Sequence, residues 1–282
     1  MKGANKVALL SVLNAFSVVD AAPTTPGVRA VAPLGDAEFH PARDQFSAQF
    51  IGGHAVSVKD YPFVIAGLRS GGSRPQGQTC TGSVIGPRKI LIAAHCVDAE
   101  GTKTFAYGLD DLNNGTLHKI PVSSYIKHPN YVNFDQGWDV AVATTTEDIP
   151  VDGGQYAKFA TSADSGIAAA GKKAYALGYG KKDVNDNSRN VQLHRGDLPI
   201  VAPATCDQTG QGLHVVPEYM ICSGYSSGRP VTILPGDSGG PLVVDGKVVG
   251  VGSWSKSTWN WYSIYSRLDN EMGDWVAEQL NA

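Results

Sequence analysis

Four short motifs stand in a fixed order along the 282-residue chain, and that order constrains it more than any other feature. They are Ile51-Gly52-Gly53, Ala93-Ala94-His95-Cys96, Asp139-Val140-Ala141-Val142 and Gly236-Asp237-Ser238-Gly239-Gly240-Pro241. Each is weak alone. A Gly-Asp-Ser-Gly run is more often a turn, and a histidine beside a cysteine is more often structural. Together, with 44 residues from His95 to Asp139 and 99 from Asp139 to Ser238, they leave little room for coincidence. They put a hydroxyl, an imidazole and a carboxylate on one chain, the groups that activate a serine nucleophile.

The texture from Ile51 onward is β. Thr79 to Ile85 and Lys89 to Ala93 read as strands split by Gly86-Pro87. Pro241 to Val244 and Lys247 to Val251 flank Asp245-Gly246, a dipeptide favoured in two-residue hairpin turns. Leu268, Met272, Trp275, Val276 and Leu280 recur at helical spacing, so a short amphipathic helix should close the domain. Glycine (33) and proline (16) are plentiful, as many short strands joined by tight turns require. These features predict an all-β barrel or sandwich with a terminal helix. A net charge of −3 and no run of like charges give no reason to expect nucleic acid or an anionic membrane as partner.

The four cysteines, Cys80, Cys96, Cys206 and Cys222, are an even set that an oxidising compartment would join into two disulfides. Three pairings are open. The close pairs Cys80–Cys96 and Cys206–Cys222 are the simplest, each closing a short loop worth about 3 kcal/mol in the chain-entropy model. A zinc site is disfavoured because no C-x-x-C or H-x-x-x-H spacing occurs.

The first 50 residues differ from the rest. Lys2 and Lys6 precede an apolar run, Val7 to Val19, that is too short to span a bilayer. Small residues around Val19-Asp20-Ala21 fit signal cleavage, which divides the chain into residues 1–21 as signal, 22–50 as a poorly ordered pro-segment rich in proline, and 51–282 as the folded domain.

The chain resembles the chymotrypsin/trypsin-like serine protease family. Beyond the four motifs the likeness extends to Gly178-Tyr179-Gly180, to Met220-Ile221-Cys222-Ser223-Gly224-Tyr225 and to Gly252-Ser253-Trp254. The resemblance implies two antiparallel six-stranded β-barrels with a C-terminal α-helix and an active site between the barrels. It implies that Ser238 attacks a peptide carbonyl, His95 takes the proton and Asp139 orients His95. The N–H groups of Gly236 and Ser238 would form the oxyanion hole, worth about 3–4 kcal/mol per donor. Asp237 would pair with the α-ammonium of Ile51, an amine that exists only once the Phe50–Ile51 bond is cut. An unpaired buried carboxylate is costly, which would keep the uncut chain misformed at this loop.

Substrate selection follows from the same likeness. Thr232 falls at the base of the specificity pocket, where trypsins carry an aspartate, so cleavage after Arg or Lys is disfavoured. Ser253 and Trp254 line the substrate strand. Ser255 and Ser263 replace wall glycines and narrow the slot, which favours a neutral, apolar side chain. Leu234 stands where many relatives have a bracing cysteine, so the loop from Ser226 to Pro235 should be looser. Leu109 replaces an expected calcium ligand. No metal or cofactor is therefore expected, and Asp110 and Asp111 read as a solvated turn. Asn114-Gly115-Thr116 is a glycosylation acceptor in a eukaryotic host.

The expected partners are protein or peptide substrates and an activating protease, for a secreted monomer. The competing reading is a catalytically silent homologue acting as a binding decoy. A lipase or esterase is excluded by the order His, Asp, Ser and the β texture.

Overall fold

The computed structural model describes residues 30–31, 53–182, 185, 191–207, 214–225, 231–259 and 261–282. The expected signal, the rest of the pro-segment, Ile51 and residues 226–230 of the Ser226–Pro235 loop lie outside the described residues.

Two strands precede the barrels: β1 (Ala30–Val31) and β2 (His54–Ala55). The first barrel holds β3 (Val64–Arg69), β4 (Gln78–Gly86), β5 (Lys89–Ile92), β6 (Lys103–Ala106), β7 (Lys119–Lys127) and β8 (Ala141–Thr145). Its order, β3-β4-β5-β8-β7-β6, closes on itself with every pair antiparallel. The second barrel holds β9 (Lys173–Gly178), β10 (His194–Val201), β11 (Met220–Ser223), β12 (Pro241–Val244), β13 (Lys247–Lys256) and β14 (Ser263–Arg267). It runs β13-β12-β9-β10-β11-β14, and antiparallel pairing of β14 with β13 closes it. Two six-stranded antiparallel barrels are thus the architecture. Closure removes the open edges that would otherwise template aggregation.

Strand β4 shows how the barrels join. All nine of its residues are buried, because one face fills the first barrel and the other meets the second. Thr81 belongs to the second set: its hydroxyl donates to Gly236 O at 2.9 Å and accepts from the Tyr179 N–H at 3.1 Å. Ile65, Val84, Ile90 and Leu91 of the first barrel and Leu242, Val249 and Val251 of the second are fully buried in one apolar cluster, and Val64 is fully buried in a second. Each such side chain contributes about 1.5–3 kcal/mol by leaving water.

The Asp245-Gly246 turn joins β12 to β13 as the sequence predicts, with φ of 49° and 78°. The terminal helix differs from the reading at its start. The Leu268–Leu280 periodicity placed Leu268 in it, whereas α3 spans Glu271–Asn281. The reason is Asn270, whose side chain caps the helix by accepting from the Met272 N–H at 2.9 Å. Met272 and Val276 form its buried face. Two single-turn helices, α1 (His95–Asp98) and α2 (Pro203–Cys206), have no periodic signal in the sequence. Disulfides join Cys80 to Cys96 and Cys206 to Cys222, each across 16 residues. Among the described residues no helix is long and apolar enough to cross a membrane.

Candidate active site

His95 opens α1 directly after β5, and Asp139 stands just before β8. Since β5 and β8 are paired neighbours, the two side chains meet at one end of the first barrel. His95 Nδ1 lies 2.6 Å from Asp139 Oδ2, and the His95 N–H donates to Oδ1 at 2.8 Å. The second barrel adds a third donor, Ser253 Oγ, at 2.5 Å from Oδ2. Ser266 Oγ donates to the Asp139 carbonyl at 3.0 Å. The carboxylate is wholly buried and holds the imidazole through Nδ1–H, which leaves Nε2 as the acceptor. Behind it, Trp138 takes a left-handed φ of 59° and stacks between His128 and Tyr219, with ring centroids 4.6 and 4.8 Å away. That wedge turns the next residue, Asp139, inward.

Ser238 lies in the turn that leads into β12. Its carbonyl accepts from the Thr81 N–H at 2.8 Å, and the Gly239 N–H donates to Gly252 O at 2.8 Å, so both barrels hold the turn. Ser238 Oγ is buried and makes no hydrogen bond. The N–H groups of Gly236 and Ser238 donate to no partner among the described residues, while the Gly236 carbonyl is gripped from behind. It accepts from Gln78 Nε2 and from Thr81 Oγ1, both at 2.9 Å. Gln78 Oε1 in turn accepts from Arg74 Nε at 2.7 Å, and Arg74 Nη2 donates to Tyr179 O at 2.8 Å. Gly236 itself needs φ of 102°, and a Cβ there would stand 2.4 Å from Gln78 Oε1.

The predicted pocket residues come together. Thr232 Oγ1 lies 3.0 Å from both Ser255 Oγ and Ser263 Oγ. Ser255 Oγ donates to Tyr262 O at 2.9 Å, and Ser263 Oγ accepts from the Ile233 N–H at 2.8 Å. The cluster is neutral and contains no carboxylate. Trp254 stacks on Trp261 beside it, with centroids 6.3 Å apart.

Residues 50–276 match the protein family described as Trypsin. The chain belongs to the trypsin family. A trypsin of Saccharopolyspora erythraea is 30% identical over 242 residues, covering 82% of this chain and 98% of that protein. Chymotrypsin-like elastase family member 1 of Homo sapiens is 32% identical over 221 residues, covering 75% and 83%. The solved VesB protease of Vibrio cholerae shares the fold, with a TM-score of 0.66 at 24% identity over 82% of this chain and 68% of that one. Trypsin-family homology places the chain among the serine endopeptidases.

This trypsin-family chain also adds to its sequence reading. Asp110 is exposed at a turn, as read, and its Oδ1 also accepts from the Val58 N–H at 2.7 Å and from Ser57 Oγ at 3.1 Å, which ties down the start of the domain. Cys80, His95 and Cys96 are close enough to suggest a metal site, but the two sulfurs are bonded to each other. Arg74, Gln78, Thr81 and Ser266 were not anticipated at all. The signal that could have found Gln78 is faint, a long polar residue two positions before the first cysteine.

Asp237 explains the Gly178-Tyr179-Gly180 motif. Its Oδ1 accepts from the Gly180 N–H at 2.8 Å and its Oδ2 from the Leu234 N–H at 3.0 Å. A Cβ at Gly178 would lie 2.0 Å from Oδ1, and one at Gly180 would lie 2.4 Å from the carboxyl carbon. Burial pushes this carboxyl up to about 7, against the pull of the Leu234 and Gly180 N–H groups and of the Arg74 charge.

The unfolded chain ionises Asp237 near pH 4, while the folded uncut chain holds its proton toward 7. This contribution is therefore fully present below 4 and lost as pH rises to 7. Urea melts of the uncut Ser238→Ala chain, with and without Asp237→Asn, should show the Asn variant gaining on its parent between pH 4 and 7. Parallel stability curves would contradict the burial argument.

Proposed function

We propose that this chain is the precursor of a secreted serine endopeptidase, with residues 1–21 a signal, 22–50 a pro-segment and 51–282 the peptidase domain. The observation that carries the reading is the carboxylate–imidazole bond, His95 Nδ1 to Asp139 Oδ2 at 2.6 Å; Ser238 Oγ is buried and makes no hydrogen bond in this structure, to His95 or to any other group. Ser238 Oγ attacks the substrate carbonyl carbon while His95 Nε2 takes its proton. The imidazolium, steadied by Asp139, returns that proton to the leaving amine and leaves an acyl-enzyme. Water then repeats the sequence, with His95 as base, and frees the acid. The Gly236 and Ser238 N–H groups meet the oxyanion; the Lys181 N–H, donating to the Pro235 carbonyl at 2.9 Å, holds the peptide plane that carries the first of them, and the clamp of Gln78 and Thr81 holds the plane that follows.

Thr232, Ser255 and Ser263 offer a substrate side chain neutral hydroxyls, with Ser253 and Trp254 along its backbone. A neutral, apolar residue before the cut is accordingly preferred, and Lys or Arg is not. Phe50 is such a residue, so the activating cut at Phe50–Ile51 fits an apolar-specific protease, a second copy of this enzyme included. The new Ile51 α-ammonium would then pair with Asp237, which Ile51 cannot do as an amide. Ile51 lies outside the described residues, so this pairing rests on Asp237's burial and on the family likeness.

The experiment is chymotrypsin treatment of the purified chain followed by a fluorophosphonate probe. A new N-terminus at Ile51 should appear together with labelling of Ser238, at least a hundredfold faster than in the uncut chain. Cutting at Ile51 without labelling would favour the silent decoy. Activation by trypsin at another bond would overturn both the cleavage site and the specificity.

A further inference from the structure

Two strands lie outside the barrels: β2 pairs with β10, and β1 pairs with the strand that borders the site. Ala30 and Val31 form β1 and pair antiparallel with β13, Ala30 opposite Lys256 and Val31 opposite Ser255. At this end β13 is already bonded on its other side to β14, with Trp254 opposite Ile264 and Ser255 opposite Ser263. β1 therefore occupies the one remaining edge. That edge borders the site. Ser253 of β13 donates to Asp139, and Ser255, two residues on, bonds Thr232 at the pocket base. A peptide laid along this edge runs past the pocket toward the triad.

A second observation points the same way. In the full chain His95 is 4% exposed, Thr232 1%, and Ser238, Trp254 and Ser255 are 0% exposed. A site that must receive a polypeptide is closed in the protein that carries it.

We propose that the segment around Ala30–Val31 is a built-in peptide inhibitor that fills the substrate edge of β13. This rests on reading the Ser238 site as a peptidase site, and adds to it a second lock independent of the Ile51 amine. Strand addition takes its affinity from main-chain hydrogen bonds, which any extended segment supplies. The sequence suits the role in part: Val28 and Val31 favour an extended strand, and none of the stretch Val28–Leu34 is acidic. Pro33 follows two residues after Val31. It has no N–H to add to a ladder, so the pairing that Ala30 and Val31 make cannot continue unbroken through it.

The test separates this lock from the parent reading. The full chain is cut after Phe50 and the domain purified away from residues 1–50. Its activity on a peptide substrate tests the peptidase reading. A synthetic peptide of residues 22–50 is then added. Competitive inhibition is expected, weakened at least tenfold in a peptide carrying Ala30→Pro and Val31→Pro. No inhibition, non-competitive inhibition, or equal potency of the two peptides overturns the proposal.

Amide exchange over residues 253–257 gives a readout that needs no activity. It should be slow in the full chain and at least tenfold faster both in the cut domain and in a full chain with the two prolines. Unchanged exchange overturns the occupancy whatever the enzyme assay shows.

Discussion

Ser238→Ala should lower kcat for peptide hydrolysis by about 10⁶-fold in the cut enzyme. The residual rate would come from the oxyanion donors and from binding, which the substitution does not touch. The fold should be unaffected or slightly more stable, for a reason specific to this site. Ser238 Oγ is buried without a hydrogen bond, so alanine removes a desolvated hydroxyl that returns nothing to stability. Single-turnover kinetics and a thermal melt decide the matter together. A variant with most of its activity ends the assignment of Ser238 as nucleophile. One that loses activity and also melts well below the parent shows that its hydroxyl has a structural partner.

Asp139→Asn should cost about 10⁴-fold in kcat with little change in KM, the magnitude known for this exchange in triads of this type. The geometry says why. The carboxylate accepts from the His95 N–H on Oδ1 and from His95 Nδ1 and Ser253 Oγ on Oδ2. An amide has one oxygen and one NH2. If the oxygen stays on the backbone N–H, the NH2 faces Nδ1, and the imidazole must place its proton on Nε2 instead. A ring with Nε2–H cannot accept the serine proton. Loss of the Nδ1 proton resonance, together with the fall in kcat, is the expected signature. A loss under tenfold would remove Asp139 from the mechanism.

Much of this site could be read from the chain because its chemistry sits in local motifs. Asp139 and His95 each adjoin a largely buried strand, and Ser238 lies among glycines that a tight turn requires. The Asp245-Gly246 hairpin was legible for the same reason: its conformation depends on two adjacent residues. What escaped depends on distance. Gln78 and Thr81 reach Gly236 across 158 and 155 residues, and nothing near Gln78 marks it as more than a polar residue at a strand end. The wedge at Trp138 escaped because a left-handed tryptophan has no local cause; it is held by the rings of His128 and Tyr219. Helix α3 began later than its periodicity because a cap residue outranks an apolar repeat. Ser253 was read as a substrate contact, and its bond to the buried carboxylate depends on the meeting of the two barrels.

The disulfides have a consequence for irreversibility. Both lie wholly within the barrels, and residues 1–50 contain no cysteine. In the proposed scheme β1 is tethered to its edge until the Phe50–Ile51 bond is cut, at an effective concentration on the order of millimolar. Afterwards it is a free peptide whose occupancy depends on how much of it is nearby. Where many copies are crowded together, the released segments would keep restraining the cut enzyme. In a large volume the restraint would fall away by dilution alone, so the same proposed cleavage would be silent where the chain is concentrated and decisive where it is dilute.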